Sequence, residues 1–320
     1  MNTEQALITV SVLMITYAHE KYIKQAIEGV LMQENDFDIE LIIADDKSPD
    51  KTEKIVENLI KNHKNGHWIK YTKHKKNKGI QPNFIWAYQQ CSGKYIAICE
   101  GDDYWIDPLK LQKQIDFLER NKEYAVCCHN AQIIDEKGVL IQDKKIPYLS
   151  KDKIFTELEM KKCIPMLTLT LVLRNFKGFN DQIIKSNNVI NGDMFTISLL
   201  GMYGKGFYME NIKPAKYRVH SGGVWSSKKH NPLFVFKSQI NLYSALRDLH
   251  NEEIELVDHF EERISNCHQN LLANMDKLTF KEMFYSNFKY IKRNYSKPLK
   301  CIYNLIKYNG KYIWFSVLKK

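Results

Sequence analysis

The sequence predicts an α/β fold in which a mostly parallel central sheet is flanked by helices and followed by a helical C-terminal extension. Through the first 125 residues, short apolar segments alternate with segments of helical periodicity, an order that favours parallel strands joined by right-handed crossovers. From residue 234 onward the pattern is helical alone. The 320 residues, of which 44% are hydrophobic, are enough for one large core or two smaller ones.

The first half of the chain alternates regularly between the two patterns. Val10–Thr16 is rich in β-branched and apolar residues and predicts a buried strand, and the segment that follows it places apolar residues at helical spacing. Tyr95–Cys99 is a short apolar run with the composition of a buried strand. The predicted strands are 10–16, 40–44, 68–72 and 95–99, and the predicted helices between them are 20–33, 52–61 and 81–90.

The second half continues the sheet with less regular elements. Asp107 and Pro108 predict the start of a helix that runs to residue 121, because Asp is a good N-cap and Pro fits the first helical turn. Further strands are expected at 125–134 and at 167–173, where apolar and polar residues alternate. A helix over 194–200 would begin directly after Asp193.

Three carboxylates follow the strand 95–99 almost at once. Glu100, Asp102 and Asp103 would repel one another at this spacing unless a cation or a shared proton compensates them. A divalent ion, Mg²⁺ or Mn²⁺, completed by a ligand phosphate is a natural compensator. A solvated acidic turn is the alternative, since Asp and Gly are common in turns.

A second acidic pair also follows directly after a predicted strand. Asp45 and Asp46 follow the strand 40–44, and ligands of parallel sheets bind beyond the carboxyl ends of the strands, so one crevice can receive both acidic pairs. The basic loop 73–79 suits phosphate oxygens, or is a solvated run of charge.

Two further residues, Asp193 and His220, each allow two interpretations when only their neighbours in the sequence are considered. Asp193 is either a helix N-cap or a functional carboxylate, and a position at a helix N-terminus should keep its pKa low. His220 precedes a Gly-Gly turn and is either a structural histidine or an additional metal ligand.

The basic charge of the chain lies almost entirely in its last forty residues. The formal net charge is +10, and residues 281–320 hold ten Lys and Arg against Glu282, which leaves about +1 for the rest. Aromatic and apolar residues from Phe284 to Tyr295 form a stripe on a predicted helix, which with this charge favours contact with an anionic membrane surface. Packing on the catalytic domain fits the periodicity equally well, and nucleic acid is not expected as a partner.

The cysteines and the N-terminal sequence indicate the cellular compartment in which the protein is expected to function. The seven cysteines are odd in number and none forms a Cys-x-x-Cys set, which predicts buried thiols in a reducing compartment. The N-terminus lacks the pattern of a signal peptide. We therefore expect a cytoplasmic protein that is peripheral on the inner face of the cell membrane.

Six short motifs follow one another along the chain. They are Ser11–Tyr17 with His19 and Glu20, Ile42–Ser48, Asn77–Gly79, Gly93–Asp103, Gly192–Asp193 and Arg218–His220. In order and spacing, these motifs together resemble those of family 2 inverting glycosyltransferases, which have the Rossmann-like GT-A fold. The resemblance covers residues 8 to about 226 and leaves the tail outside.

The resemblance implies a role for each matching position. Thr16 and Tyr17 would hold the base and ribose, and Asp46, or Asp45, would accept a hydrogen bond from the base. Glu100 stands where many members have the first Asp of their Asp-x-Asp motif. In full, the implied donor-binding residues are Thr16, Tyr17, Glu20, Asp45, Asp46, Asn77, Lys78, Gly79, Glu100 and Asp102; the metal ligands are Asp102, Asp103 and His220; and the general base is Asp193.

The implied activity is a Mn²⁺- or Mg²⁺-dependent, inverting transfer of a sugar from a nucleotide-sugar donor, with UDP favoured, to a hydroxyl of a glycan or lipid-linked acceptor. Surface polysaccharide or lipopolysaccharide assembly is the implied setting. The catalytic domain would be 1–229, with a donor half 8–125 and an acceptor half 126–229 that includes Trp225, before a basic helical region 230–320. A nucleotidyltransferase and a non-catalytic sugar-nucleotide-binding scaffold remain as alternatives.

Overall fold

The computed structural model describes residues 10–223, 228 and 230–273. They divide between His220 and Ser221 into two compact units. The predicted domain boundary at 229/230 and the division of the catalytic domain at 125/126 stay predictions. Trp225 and the basic segment 281–320 lie outside the described residues.

The first unit is a mixed α/β domain. Its helices are α1 (Ile23–Leu31), α2 (Thr52–Asn62), α3 (Ile80–Gln90), α4 (Lys110–Arg120), α5 (Glu157–Lys161), α6 (Phe179–Ile183) and α7 (Gly192–Leu200). Its strands are β1 (Val10–Thr16), β2 (Ile39–Asp45), β3 (Ile69–Lys73), β4 (Tyr95–Ile98), β5 (Tyr124–Cys128), β6 (Ala131–Ile134), β7 (Leu140–Gln142), β8 (Lys153–Phe155), β9 (Val172–Arg174), β10 (Lys205–Tyr208) and β11 (Ala215–Arg218).

The strands form one large sheet and one small sheet. The large sheet has the order β3-β2-β1-β4-β9-β5-β10-β8, and the small sheet has the order β11-β6-β7. In the large sheet β9 runs antiparallel to both of its neighbours, and β8 is antiparallel to β10. The other pairings in that sheet are parallel, so six of its eight strands share one direction. The prediction of a mostly parallel sheet is confirmed.

The central strands are buried on both faces, which explains their continuous apolar sequences. Every residue of β4 and β5 is buried, and all seven residues of β2 are buried. Cys99, Cys127 and Cys128 are buried free thiols in this region. Their pKa values are raised by burial, as expected for structural cysteines.

Two predicted strands differ from the structure. The segment 125–134 contains two strands rather than one, because Asn130 breaks the run: its amide bonds the carbonyl of Ile146 and its side-chain oxygen accepts from the N–H of Ala131. The chain therefore passes from the large sheet to the small one. The segment 167–173 begins with a 3₁₀ turn at Thr168–Thr170, and only its end forms β9.

The turn before β9 has an identifiable physical cause. The hydroxyl and the N–H of Thr170 both bond the carbonyl of Leu167, and the indole N–H of Trp105 donates to the carbonyl of Leu169 at 2.7 Å. These bonds satisfy the backbone locally, so the alternating sequence forms a turn in place of a longer strand.

The second unit contains the two described helices of the C-terminal extension. They are α8 (Pro232–Leu249), capped by the side chain of Asn231, and α9 (Ile254–Ala273). The rings of Tyr243 and Phe260 stack with centroids 6.2 Å apart, so the two helices pack on each other. Within the described residues no helix combines the length and the apolar character needed to cross a bilayer.

Gly29 lies where α1 packs closely on the segment after β4, and a substitution at this position tests the contact. A Cβ at Gly29 would lie 2.9 Å from the carbonyl oxygen and 3.0 Å from the nitrogen of Trp105, which are backbone atoms that cannot rotate away. We expect Gly29→Ala to lower the free energy of unfolding by about 1–3 kcal/mol in urea titration, although Ala is the better helix former by about 1 kcal/mol. Glu28→Ala, at an exposed position of the same helix, is the control and should change stability little. A stabilised Gly29→Ala variant would contradict the close contact.

Candidate functional site

The carboxyl ends of β1, β2 and β4 meet at one edge of the large sheet. Thr16 pairs with Asp45 at the last position of the β1–β2 ladder, and the N–H of Gly101 bonds the carbonyl of Ile15 as the chain leaves β4. A Cβ at Gly101 would lie 2.8 Å from Thr16 Oγ1 and 3.1 Å from His19 Nδ1. Glycine is therefore required here, because the loops after β1 and β4 touch.

Three side chains converge at this edge. Asp102 Oδ2 lies 3.0 Å from His220 Nε2 and 3.9 Å from His19 Nε2. One ligand atom from each of the three residues lies within 4.8 Å of the others, a spacing that could hold a metal ion. The loop after β1, the loop after β4 and the segment after β11 each contribute one member of this His–Asp–His cluster.

Two members of the cluster, Asp102 and His19, have lowered pKa values. Burial works to raise the pKa of Asp102, but the hydrogen bond from His220 and the nearby imidazoles outweigh it, and the pKa is lowered. The pKa of His19 is lowered by burial, against an opposing effect of Asp102. An ionised carboxylate and a neutral imidazole are the forms that donate electron pairs to a cation.

The two other carboxylates of this loop occupy different places. Asp103 is 3% exposed, and its Oδ1 accepts the backbone N–H of Arg218 at 2.7 Å, so it points towards β11. Its pKa is raised well above the usual range by burial and by Asp102. Burial and Asp102 also raise the pKa of Glu100 to about 8, and its buried Oε2 has no hydrogen-bond partner among the described residues.

Arg218 ties the parts of this edge together. Its Nε donates to the carbonyl of Asp102 at 3.0 Å, and its Nη1 donates to the carbonyls of Asp135 and Glu136 at 3.2 and 3.3 Å. Its Nη2 donates to Gln25 in α1 at 2.8 Å. Because Arg218 is 5% exposed and lies two residues before His220, these bonds fix the direction from which that imidazole approaches.

The second acidic pair organises the neighbouring loop. Asp45 is fully buried, and its carboxylate accepts from the N–H of Ser48 at 2.6 Å and the hydroxyl of Tyr71 at 2.7 Å. Asp46 accepts the N–H groups of Lys78 and Gly79, at 2.6 and 2.9 Å. The structure thus joins Asp46 to the loop 77–79 that the sequence singled out, whereas the Asp45 carboxylate is bonded to Ser48 and Tyr71, and its part in donor binding stays a prediction.

The turn after β1 brings the remaining donor-side residues together. Thr16 is buried, and the ring of Tyr17 is 48% exposed at the mouth of the crevice. Ala18 has a left-handed conformation with φ 57°, held by a bond from its N–H to Ser48 Oγ at 2.9 Å. Glu20 accepts the N–H of Lys51 at 2.9 Å, and this bond joins the two loops on their outer side.

Asp193 lies in the first turn of α7 with its side chain open to solvent. The start of this helix is positioned by α3: a Cβ at Gly192 would come within 1.8 Å of Gln81 Oε1, and Gln81 in turn donates to Ser186 at 2.6 Å. The expectation of a low pKa for Asp193 is wrong. The surrounding protein displaces bulk water and raises the pKa, against the opposing effects of the Met194 N–H and Lys145.

Several contributors to this site have no distinctive sequence signal. Lys145 Nζ lies 2.9 Å from the ring centroid of Tyr217, and its charge acts to lower the pKa values of three carboxylates of the crevice, Glu100, Asp103 and Asp193. His19 was visible within a motif, but nothing local marked it as a partner of Asp102. The sequence could identify Lys145 or His19 as part of the site only if their spatial contacts were already known.

Comparison with known proteins gives a family match for the first unit. The sequence profile described as glycosyl transferase family 2 matches residues 11–181. An uncharacterized protein of Mycobacterium tuberculosis is 33% identical over 219 residues, which are 68% of this chain and 60% of that protein. This chain thus aligns with less than two thirds of that relative's length.

Two solved structures share the fold. S. aureus TarS 1–349 in complex with UDP-GlcNAc has a TM-score of 0.63 at 18% identity, over 89% of this chain and 81% of that one. Mannosyltransferase PcManGT from Pyrobaculum calidifontis in complex with GDP-Man and Mn²⁺ has a TM-score of 0.53 at 12% identity, over 97% and 88%. These likenesses confirm the predicted fold class.

The raised pKa of Glu100 predicts a pH-dependent stability. Below the ordinary value of 4.5 the carboxyl is protonated in both states; as the pH rises towards about 8, only the unfolded chain loses the proton readily, so ionisation destabilises the folded protein. We expect Glu100→Gln to stabilise the protein by about 1–3 kcal/mol at pH 8 and little at pH 4.5, in urea unfolding with a chelator present. Glu136→Gln, at an exposed position, is the control. If the stability of the two variants depended on pH in the same way, the raised pKa of a buried Glu100 would be refuted.

Proposed function

Because the chain belongs to glycosyl transferase family 2, we propose that it moves a sugar from a nucleotide-sugar donor to a hydroxyl of a glycan or lipid-linked acceptor with inversion at the anomeric carbon. The observation that carries the proposal is the His–Asp–His cluster at the carboxyl edge of the sheet, with Asp193 at the start of α7. The cluster suits the charge of a leaving diphosphate, and the carboxylate suits the proton of an attacking hydroxyl.

The donor fits the side of the crevice formed by β1, β2 and the loop 77–79. Tyr17 offers an exposed ring for a base, and the carboxylate of Asp46 keeps lone pairs beyond the two N–H groups it already accepts. TarS was solved with UDP-GlcNAc and PcManGT with GDP-Man. We favour a UDP-sugar for this chain and leave GDP-sugars as the second donor class.

The residues present fit a divalent cation. His19, Asp102 and His220 would hold it, and the unpartnered Oε2 of Glu100 is a further oxygen in the same acidic loop. Two imidazoles with a carboxylate suit Mn²⁺ better than Mg²⁺, which prefers oxygen ligands. When bound, the cation would offset the negative charge that develops on the departing diphosphate. Asp103 has its carboxylate on the N–H of Arg218, so we assign it the positioning of β11 in place of direct ligation.

The chain's own residues account for the remaining chemistry. Asp193 would accept the proton of the acceptor hydroxyl as that oxygen attacks the anomeric carbon from the face opposite the diphosphate. Its exposed side chain in the first turn of α7 can meet an acceptor. A single displacement with one base inverts the configuration of the sugar.

Two other functions are less well supported by the residues. A nucleotidyltransferase usually has a Gly-rich basic loop after its first strand, whereas this chain has Thr16–Glu20 there. A non-catalytic sugar-nucleotide-binding scaffold would need the donor side but not Asp193. Surface polysaccharide or lipopolysaccharide assembly at the inner face of the cell membrane, with the tail 281–320 on anionic lipid, remains part of our proposal.

Nucleotide binding tests the donor and the metal together. We expect one of UDP, GDP, dTDP or CMP, at about a hundred times its dissociation constant, to add about 2.7 kcal/mol and raise the melting temperature by about 5 °C, only with Mn²⁺. Asp102→Asn should abolish the Mn²⁺-dependent part. His67→Gln, which alters an exposed histidine outside the cluster, should behave as wild type. If nucleotide raised the melting temperature without Mn²⁺, and Asp102→Asn kept that rise, the metal would be removed from the proposal.

A substitution of Asp193 tests its role as the general base separately from nucleotide binding. Asp193→Asn should lower the rate of donor hydrolysis and of sugar transfer by about 10²–10⁴-fold, because no carboxylate then takes the proton, while the nucleotide-induced melting shift is kept. Asp181→Asn changes an exposed aspartate in the first turn of α6 and is the matched control. Hydrolysis that is the same in both variants would favour the scaffold function.

A further inference from the structure

Lys110, the first residue of α4, is fully buried. Lysine is almost never fully buried unless a carboxylate pairs with it, and in the part of the chain that the structure describes no carboxylate forms an ion pair with this amine. Its Nζ instead donates to Gln114 Oε1 at 2.7 Å and lies 3.9 Å from the centroid of the Trp105 ring. The amine therefore makes two specific contacts that an apolar side chain of the same length could not make.

The contact with Gln114 joins three elements. Gln114 is also fully buried, and its Nε2 donates to the carbonyls of Thr170 at 3.0 Å and Cys127 at 3.3 Å. The amide can make these two bonds only with its nitrogen towards β5 and the turn before β9, so its oxygen faces α4 and needs a donor there. Lys110 is that donor. Without the amine a buried oxygen would lose its partner, which is costly.

The contact with Trp105 reaches the acidic loop 100–103. Trp105 lies two residues beyond this loop, its ring is buried, and its indole N–H donates to a carbonyl in the turn before β9 at 2.7 Å. Tyr104, between them, is bonded to Lys216 through both backbone groups, at 2.8 and 3.2 Å. The carboxylates of the loop therefore lie between β4 and a tryptophan whose ring is in contact with the Lys110 amine.

The surroundings of the amine make it the group whose charge changes near neutral pH. Burial raises the pKa values of the three nearby thiols and lowers that of the nearby imidazole well below its usual range. Burial acts to raise the pKa of Asp107, but hydrogen bonds from the Lys213 N–H and the Lys113 amine outweigh it. Burial lowers the pKa of Lys110 itself to about 7. The groups that face the amine are Asp107, Cys99, Cys127, Cys128 and His129.

We propose that Lys110 is a positioning residue for the candidate site, which holds the acidic loop against β11 through Trp105 and Gln114. The loop meets β11 where Asp103 Oδ1 accepts the N–H of Arg218, so a shift of the Trp105 ring would be felt at that bond and at the cluster beside it. A buried amine is less favourable than a methionine of similar length, and what it adds is directional contacts. The positioning stands on these contacts, whereas its importance for a cation rests on the proposed function.

Hydrogen exchange of the Arg218 amide tests the positioning without any metal. In the full chain with a chelator present, we expect Lys110→Met to speed this exchange by about tenfold or more relative to the amide of Ile43, which lies in the middle of β2 and reports global unfolding. Lys122→Met removes an exposed lysine beyond the end of α4 and should leave the ratio unchanged. An unchanged ratio in Lys110→Met would overturn the proposal.

The indole N–H resonance of Trp105 tests whether the amine acts on the ring. In the ¹⁵N-labelled wild type this resonance, assigned by its loss in Trp105→Phe, should shift with a midpoint near pH 7 as the amine titrates. In Lys110→Met it should not shift there. A side chain that only fills space would not give this signature. No shift in the wild type, or the same shift in Lys110→Met, would overturn the proposal.

The pH dependence of stability shows whether the variant is folded and whether the amine is buried. Between the lowered pKa of Lys110 in the folded protein, about 7, and its ordinary value of 10.5, only the unfolded chain keeps the proton, so stability rises with pH. From about pH 8 to pH 10, the unfolding constant of the wild type should fall about tenfold per pH unit relative to that of Lys110→Met in urea titration. Parallel pH profiles of the two proteins would overturn the proposal.

Mn²⁺ binding separates this inference from the proposed function. We expect Lys110→Met to bind Mn²⁺ about tenfold more weakly than the wild type, and Lys122→Met to match the wild type, since groups behind metal ligands commonly change affinity by this much. Equal affinity in the wild type and Lys110→Met would overturn this inference and leave the proposed function. If the wild type bound no Mn²⁺, the metal would be removed from the proposed function, and the exchange of the Arg218 amide would decide this inference.

Discussion

The site depends on one buried guanidinium. Arg218 joins the acidic loop after β4, the turn after β6 and α1, and its own backbone N–H is the partner of Asp103. The bonds to Asp102, Asp103 and Gln25 each cross more than a hundred residues of sequence. Together with the backbone bridge between Tyr104 and Lys216, they fix β11 against the segment after β4 and so place His220 opposite Asp102.

The acidic crevice is electrostatically unfavourable in the absence of ligands, and that is consistent with its proposed use. Glu100, Asp103 and Asp193 have raised pKa values because burial, and for Glu100 and Asp103 also the charge of Asp102, disfavours their ionised forms; the charge of Lys145 opposes this. A bound cation would relieve this repulsion, and its binding free energy would then include that relief. The pKa of Asp102, by contrast, is lowered, because the two imidazoles beside it outweigh the effect of burial.

Local pattern predicted the sheet and the place of the site, since strand periodicity and strand ends are properties of short segments. The strands β1 to β4 and the helices between them were predicted to within a few residues. The part of His19 in the cluster was not predicted, because it depends on the contact between the loops after β1 and β4, which no short segment shows. Nor was it predictable that Asp102 faces His220 while Asp103 faces the N–H of Arg218, because this is decided only once β11 is in place. The same holds for 167–173, where bonds from Trp105 and Thr170 override the alternation of the sequence.

The antiparallel strand β9 has a consequence for how the chain folds. It lies between β4 and β5, so these two strands share no ladder of their own, and the first four parallel strands meet the rest of the sheet only through Val172–Arg174. During synthesis β4 therefore keeps an open edge while more than seventy further residues emerge. Such an edge is where a nascent chain associates wrongly, and insertion of β9 is the step that ends this exposure.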